Sequence, residues 1–207
     1  SLPLHGRQYL DRLFGARGHG LDQQPYCTQT PPRNPLQQMA KKRFINKVAV
    51  VTGSSRGIGS AIALAIGKEG AKIVLNGRDE IRLQEVQAEL TQQGIEAVYF
   101  KGDVSDFQQA KELSNFALQT FGKIDILVNN VGISSRGYLA DLDPSVLEQV
   151  FKSNVFGTIF PTQAALPALR QSKGSIVFIS SLAGIHGLPG LSPYSASKMP
   201  LGLFLLI

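Results

Sequence analysis

Tyr194 and Lys198 stand four residues apart in the run Pro193-Tyr194-Ser195-Ala196-Ser197-Lys198. On a helix that spacing puts a phenol and an ammonium on one face. A cation beside a phenol favours the phenolate, which suits a tyrosine that must exchange a proton near neutral pH. The spacing also arises by chance on solvated helix faces, so its meaning depends on the company it keeps. Ser181 precedes Tyr194 by thirteen residues and follows an apolar run. Asn154 lies inside a long apolar helical pattern, where a buried amide must find a backbone group, an ordered water or a partner in a site.

A second set of residues has the chemistry of phosphate binding. Thr52-Gly53-Ser54-Ser55-Arg56-Gly57-Ile58-Gly59 joins an apolar run to a helical pattern. Glycines there permit a tight turn and let the backbone approach a pyrophosphate at a helix N-terminus, where free N–H groups and the dipole favour anions. An ordinary glycine turn needs no ligand, but the strand–turn–helix setting favours a nucleotide. Asn76-Gly77-Arg78 ends the second apolar run. A carboxylate at that place holds a free ribose 2′-hydroxyl. This chain has an arginine instead, with Arg56 in the glycine loop as a second guanidinium. The pair suits a 2′-phosphate, so NADP(H) is expected over NAD(H), with Asp79 the nearby acid that argues the other way. A solvated cation at a helix start is the plainer reading of Arg78. Asp103-Val104 closes the third apolar run, where the carboxylate either accepts from an adenine amino group or caps the next helix. Asn129-Asn130-Val131-Gly132 closes the fourth. Asn130 there can lock neighbouring carbonyls, and Gly132 lets the chain pass close to a ligand.

These residues need a frame, and the apolar pattern supplies one. Strands are expected at 48–51, 72–75, 97–100, 124–128 and 175–179, with helices at about 58–68, 79–93 and 106–121. Ile58, Ile62, Leu64, Ala65 and Ile66 fit the buried face of the first helix. Ile81, Val86 and Leu90 fit that of the second, with Gly94 as its stop. A longer helical stretch covers about 143–170, and Pro161 and Pro167 should bend it or end it early. Alternating strands and helices with near-continuous apolar strands argue a parallel sheet covered on both faces, hence a doubly wound, Rossmann-type α/β fold. Ligands in such sheets sit outside the carboxyl ends of the strands. The glycine loop, Asp103, Asn130 and Ser181 all stand at such ends, so one crevice is expected to hold them.

Composition removes other classes. The single cysteine, Cys27, leaves no disulfide framework and no metal cluster, and fits a reducing, cytoplasmic setting. The net charge of +6 belongs mostly to residues 1–46, which carry +5, so the remainder is nearly neutral and a nucleic-acid partner is not expected. Residues 1–38 hold five of the eleven prolines and no sustained periodicity, and no apolar stretch there is long enough for a signal core or a membrane span. Residues 1–46 are expected to be a disordered basic extension, with Met39 a natural start, and residues 47–207 the dinucleotide-binding domain.

The motifs together resemble the short-chain dehydrogenase/reductase family in its shorter, single-domain branch. Thr-Gly-x3-Gly-x-Gly at 52–59, Asp103, Asn-Asn-x-Gly at 129–132, Asn154, Ser181 and Tyr194-x3-Lys198 occur in the family's order over about 47–198. The resemblance implies an NADP(H)-dependent oxidoreductase acting on a small carbonyl or alcohol substrate. Tyr194 would donate or accept the proton, and Lys198 would hold the nicotinamide ribose and ease ionisation of the phenol. Ser181 would hydrogen-bond the substrate oxygen, and Asn154 would keep a proton-relay water. Gly53, Ser55, Arg56, Gly57, Ile58, Gly59, Arg78, Asp103, Val104, Asn130 and Gly132 would hold the cofactor with Tyr194 and Lys198. A homo-oligomer is implied for a full-length relative. Val131 departs from the commoner alanine, and Pro161 falls in the helix that carries much of the subunit interface in relatives. The family also continues the Tyr/Lys helix and adds further strands, whereas here Met199-Pro200-Leu201 follows and the sequence given ends at Ile207. The expectation is a sheet lacking the last strands, with the fifth strand an exposed apolar edge. A truncated, catalytically impaired dinucleotide-binding module, or an interaction protein using that edge and the basic tail, are the alternatives.

Overall fold

Val48–Val51 (β1) runs into the glycine loop and helix α1, Gly57–Lys68. The chain then alternates β2 (Lys72–Gly77), α2 (Glu80–Gln92), β3 (Ala97–Lys101), α3 (Phe107–Phe121) and β4 (Ile126–Asn129). Next come α4 (Pro144–Phe151), a wide π turn at Lys152–Phe156, α5 (Gly157–Ser172), β5 (Ser175–Phe178) and α6 (Ser192–Lys198). The computed structural model describes residues 42–199. The disorder expected for residues 1–38 and the break expected at Pro200 lie outside the described residues.

The five strands form one parallel sheet in the order β3-β2-β1-β4-β5. The period-2 alternation of a strand divides the core in two. Val48 and Val50 face Val74, Leu113, Ile124, Leu127 and Leu169, under α3 and α5. Ala49 and Val51 face Ile73, Leu75, Ala63, Leu83, Leu90 and Val128, under α1 and α2. Both faces of the sheet are therefore covered, as the continuous apolar runs imply, and the carboxyl ends of all five strands open at one rim. Among the described residues β5 is an edge strand, with Val177 exposed.

Several expected details change. The face of α1 that packs on the sheet is Gly59, Ala63 and Gly67, while Ile58 is 64% exposed and Ala65 also faces solvent. Small residues win because the helix lies too close for side chains: a Cβ on Gly67 would fall 2.6 Å from Ile95. In α2 the inward residues are Leu83, Val86 and Leu90, and Ile81 is 70% exposed. The helix containing Pro161 and Pro167 continues through both to Ser172. Pro161 is buried with Ala165, Ala168 and Leu169, and the π turn just ahead of α5 has already shifted the hydrogen-bond ladder, so packing overrides the local penalty. Order also begins before residue 47. The Phe44 N–H donates to the Glu69 carbonyl at 2.9 Å, and Arg43 pairs with the Glu69 carboxylate.

Candidate active site

The glycine loop turns because Gly53 and Gly57 take left-handed φ values of +62° and +60°. The buried Ser54 hydroxyl donates to the Val51 carbonyl at 2.8 Å and accepts from the Asn76 N–H at 2.9 Å, tying the loop to β2. Asn130 ties it to β4, its amide donating to the Thr52 and Gly53 carbonyls at 3.1 and 3.0 Å. Gly59 lies beneath this turn, where a Cβ would fall 2.4 Å from the Gly53 carbonyl oxygen. The loop is thus held from two strands and from below, with its free side facing the rim.

Helix α1 begins at this loop without a side-chain cap and without an acid in its first turn. By contrast α2, α3 and α4 are capped by Asp79, Asp106 and Asp143. The first N–H groups of α1 are left to an anion. No Cβ contact arises within 4 Å of Gly57, so the space in front of the helix is open. This is the cradle a pyrophosphate fits.

At the next strand ends, Asp79 is committed as the α2 cap, accepting from the Arg82 N–H and pairing with the Arg82 guanidinium at 3.1 Å. Arg78 lies 3.8 Å from Asp103 across the rim. Asp103 is not a helix cap, since Asp106 performs that role. Its carboxylate accepts from the Ser105 N–H and hydroxyl at 3.0 and 2.7 Å. Burial alone would raise the Asp103 carboxyl, but Ser105 and the charges of Arg78 and Lys152 outweigh it and hold the group below the ordinary value.

The Tyr194 side of the rim is built on buried polar groups. Lys198 is sealed in, and its ammonium donates to the Ile179 carbonyl at 3.1 Å. Burial pushes that ammonium below the ordinary lysine value. Two glycines make room for this residue, one at its ammonium and one at its backbone. A Cβ on Gly132 would fall 2.9 Å from Lys198 Nζ, and one on Gly184 would fall 2.9 Å from the Lys198 carbonyl. Asn154 is completely buried in the π turn. Its Oδ1 accepts from the Ile133 N–H at 2.7 Å, while Nδ2 donates to the Ile133 carbonyl and to Ser197 Oγ at 3.0 and 2.8 Å.

One cleft of about 420 Å³ gathers these groups. Gly53, Ser55, Arg56, Gly57, Ile58, Arg78, Asp103, Val104, Asn130, Gly132, Tyr194 and Lys198 line it. Three expected residues do not. Gly59 supports the loop from below, and Asn154 sits behind Ile133. Ser181 stands beyond the end of β5, capping a short 3-10 turn at Leu182–Gly184 by accepting from the Ala183 N–H at 3.2 Å. The cleft is also lined by Ile133, Ser134 and Ser180, which the motifs do not single out. Their positions next to motif residues were the only signal. Among the described residues no group of His, Cys, Asp and Glu has the arrangement of a metal site.

Comparison with known proteins agrees with this geometry. The family model described as short chain dehydrogenase matches residues 47–205. A diacetyl reductase, (S)-acetoin forming, from Staphylococcus epidermidis is 38% identical over 156 residues, covering 74% of this chain and 61% of the reductase. A short chain dehydrogenase/reductase from Burkholderia phymatum, crystallised in complex with NAD, superposes with a TM-score of 0.76 at 32% identity, covering 78% of this chain and 58% of that one. An alcohol dehydrogenase from the archaeon Thermococcus sibiricus, complexed with 5-hydroxy-NADP, gives a TM-score of 0.74 at 32% identity, covering 77% and 68%. The chain spans about three fifths of the length of the Staphylococcus epidermidis relative.

Proposed function

The chain belongs to the short-chain dehydrogenase family, and on that premise we propose that it is an NADP(H)-dependent oxidoreductase interconverting a small carbonyl compound and its alcohol. The observation that carries the reading is the sharing of one cleft by Tyr194, Lys198 and the uncapped N-terminus of α1.

Gly53, Ser55, Gly57 and Ile58 hold the pyrophosphate against the first N–H groups of α1, over the support that Gly59 gives the loop. Asp103 and Val104 take the adenine end, and Asn130 and Gly132 keep the far wall close. Arg78 and Arg56 favour a 2′-phosphate, because both line the cleft while Asp79 is engaged as a helix cap. A nicotinamide dinucleotide supplies or accepts the hydride when bound. Tyr194 donates its phenolic proton to the carbonyl oxygen as the C=O becomes an alcohol, and recovers it in the reverse direction. Lys198 holds the nicotinamide ribose. The bond from Ala183 to Ser181 uses a lone pair of the hydroxyl and leaves its proton for the substrate oxygen. Asn154 keeps a relay water. The setting is cytoplasmic, consistent with one cysteine, and the working form is a homo-oligomer.

Titration with NADPH and NADH, followed by turnover on a panel of small ketones, tests the reading. NADPH should bind at least about tenfold more tightly, the order of one charge-assisted hydrogen bond. Tyr194→Phe should remove turnover and leave NADPH binding intact. Equal affinity for the two dinucleotides would overturn the 2′-phosphate assignment, and an active Tyr194→Phe would overturn the proton assignment.

A further inference from the structure

Ser197 lies between Tyr194 and Lys198 and is completely buried. Its hydroxyl donates to the Tyr194 carbonyl at 2.8 Å. A carbonyl can only accept, so the single hydroxyl proton is committed there, and a lone pair faces Asn154 Nδ2 at 2.8 Å. Only a donor satisfies that lone pair. The other end of the amide obeys the same logic, because the Ile133 N–H, at 2.7 Å from Oδ1, can only donate. A reversed amide would set oxygen against the Ser197 lone pair and the Ile133 carbonyl, and NH₂ against the Ile133 N–H. The polarity of Ser197 and Ile133 therefore permits one orientation of Asn154.

The contact also joins three segments. Asn154 belongs to the π turn, Ile133 to the chain after β4, and Ser197 to α6. Gly132, next to Ile133, sits where a Cβ would come within 2.9 Å of Lys198 Nζ and 3.3 Å of Asn154 Oδ1, so the amide and the ammonium are set against the same piece of backbone. We propose that Ser197 is a positioning residue, which fixes the Asn154 amide and anchors the turn of helix carrying Tyr194 and Lys198 to the wall of the cleft. The inference rests on the reading of Tyr194 as proton donor. The Ser197 hydroxyl bonds to Tyr194 and Asn154 and not to the glycine loop or Arg78, so its role should appear in kcat before it appears in cofactor binding.

The test compares Ser197→Ala and Ser197→Thr with the intact full chain. Ser197→Ala should lower kcat about tenfold, as for loss of one buried hydrogen bond. NADPH affinity should stay near its original value, and Ser197→Thr, which keeps a hydroxyl able to reach the carbonyl one turn back, should recover most of the loss. A second readout needs no turnover. The Asn154 side-chain amide, identified in NMR spectra by its disappearance in Asn154→Asp, should exchange slowly in the intact chain and at least about tenfold faster in Ser197→Ala, the population shift expected from one lost hydrogen bond. Unchanged exchange in Ser197→Ala overturns the proposal, as does a parallel loss of kcat and NADPH affinity, which marks general loosening of the helix. A chain that binds NADPH without turnover would fail the proposed function alone, because the amide exchange still decides the role of Ser197.

Discussion

Lys198 shows what the site costs the fold. Its side chain is 4% exposed, and its ammonium faces a carbonyl without a carboxylate counter-charge among its described bonds. Desolvation disfavours the charged form, which is the direction found for this group. With the folded value depressed below the ordinary 10.5, the unfolded chain binds the proton more readily. The penalty is complete below the folded value, shrinks as pH rises through it, and vanishes above the unfolded one. Lys198→Met, close in volume and uncharged, should raise stability at pH 7 by about 1 kcal/mol, the low end for replacing a buried charge by an apolar group. Turnover should be lost and NADPH binding weakened. The gain should diminish at pH 10, which urea denaturation at the two pH values would reveal. A destabilised Lys198→Met at pH 7 would show that the bond to Ile179 outweighs desolvation.

Elements differ in how far the sequence discloses them. Strands β1 to β5 are legible from continuous apolar runs: β1 and β2 are buried on both faces and must be apolar at nearly every position, while the edge strands β3 and β5 keep the run though partly exposed. Helix existence was equally clear, but helix faces were not. Apolar periodicity pointed to Ile58 and Ile81, whereas the packed faces use Gly59, Ala63, Gly67 and Leu83, because the distance between helix and sheet is a tertiary quantity. The site shows the same division. Residues at strand ends are legible by position, while Ser197 and Ile133 emerge only when separate segments meet Asn154. Asp125 also depends on such a meeting. It is buried at the start of β4, where its carboxylate accepts from the Val48 N–H at 2.9 Å and pairs with Lys47 and Lys123 at 2.9 and 3.1 Å. Burial raises this carboxyl, but the Lys47, Val48 and Lys123 hydrogen bonds outweigh it and hold the group below its ordinary 3.8. A depressed acid stabilises the fold above its unfolded value, and the contribution is lost as pH falls through the folded one. Asp125→Asn keeps an acceptor for Val48 but not the charge, and should cost about 2 kcal/mol at pH 7. The difference from the intact chain should shrink as pH falls below 3.8 and disappear beneath the depressed folded value, once both states of the aspartate are protonated. A difference that persists there would mean that shape, and not charge, binds β1 to β4.

At the scale of the whole molecule, the described surface carries an aromatic patch that no single stretch of sequence reveals. Phe156 and Phe160, one turn apart, stack at 5.3 Å with planes 6° apart. Phe107, brought in from α3, meets Phe160 edge-on at 5.4 Å. Phe107, Phe151 and Phe156 are exposed, Phe156 by 46%. A hollow beside them is lined by Phe151, Phe156 and Phe160 with Lys152, Glu148, Gln149 and Ser145 at its border. Rings held in fixed stacking geometry at the surface have already lost conformational freedom, so covering them releases water at little further entropic cost. A polar border around clustered aromatics is the composition of a protein contact surface. In the homo-oligomer of the proposed function, a second copy of the chain would cover this patch. Phe156→Glu would place a charge at the centre of that contact and leave the two halves of the core untouched. It should weaken self-association at least about thirtyfold, the loss expected of a central aromatic anchor, with the circular dichroism spectrum unchanged. Light scattering over a micromolar concentration series would measure this. An intact chain that stays monomeric throughout, or a Phe156→Glu chain that associates as tightly as the original, would remove the patch from the assembly.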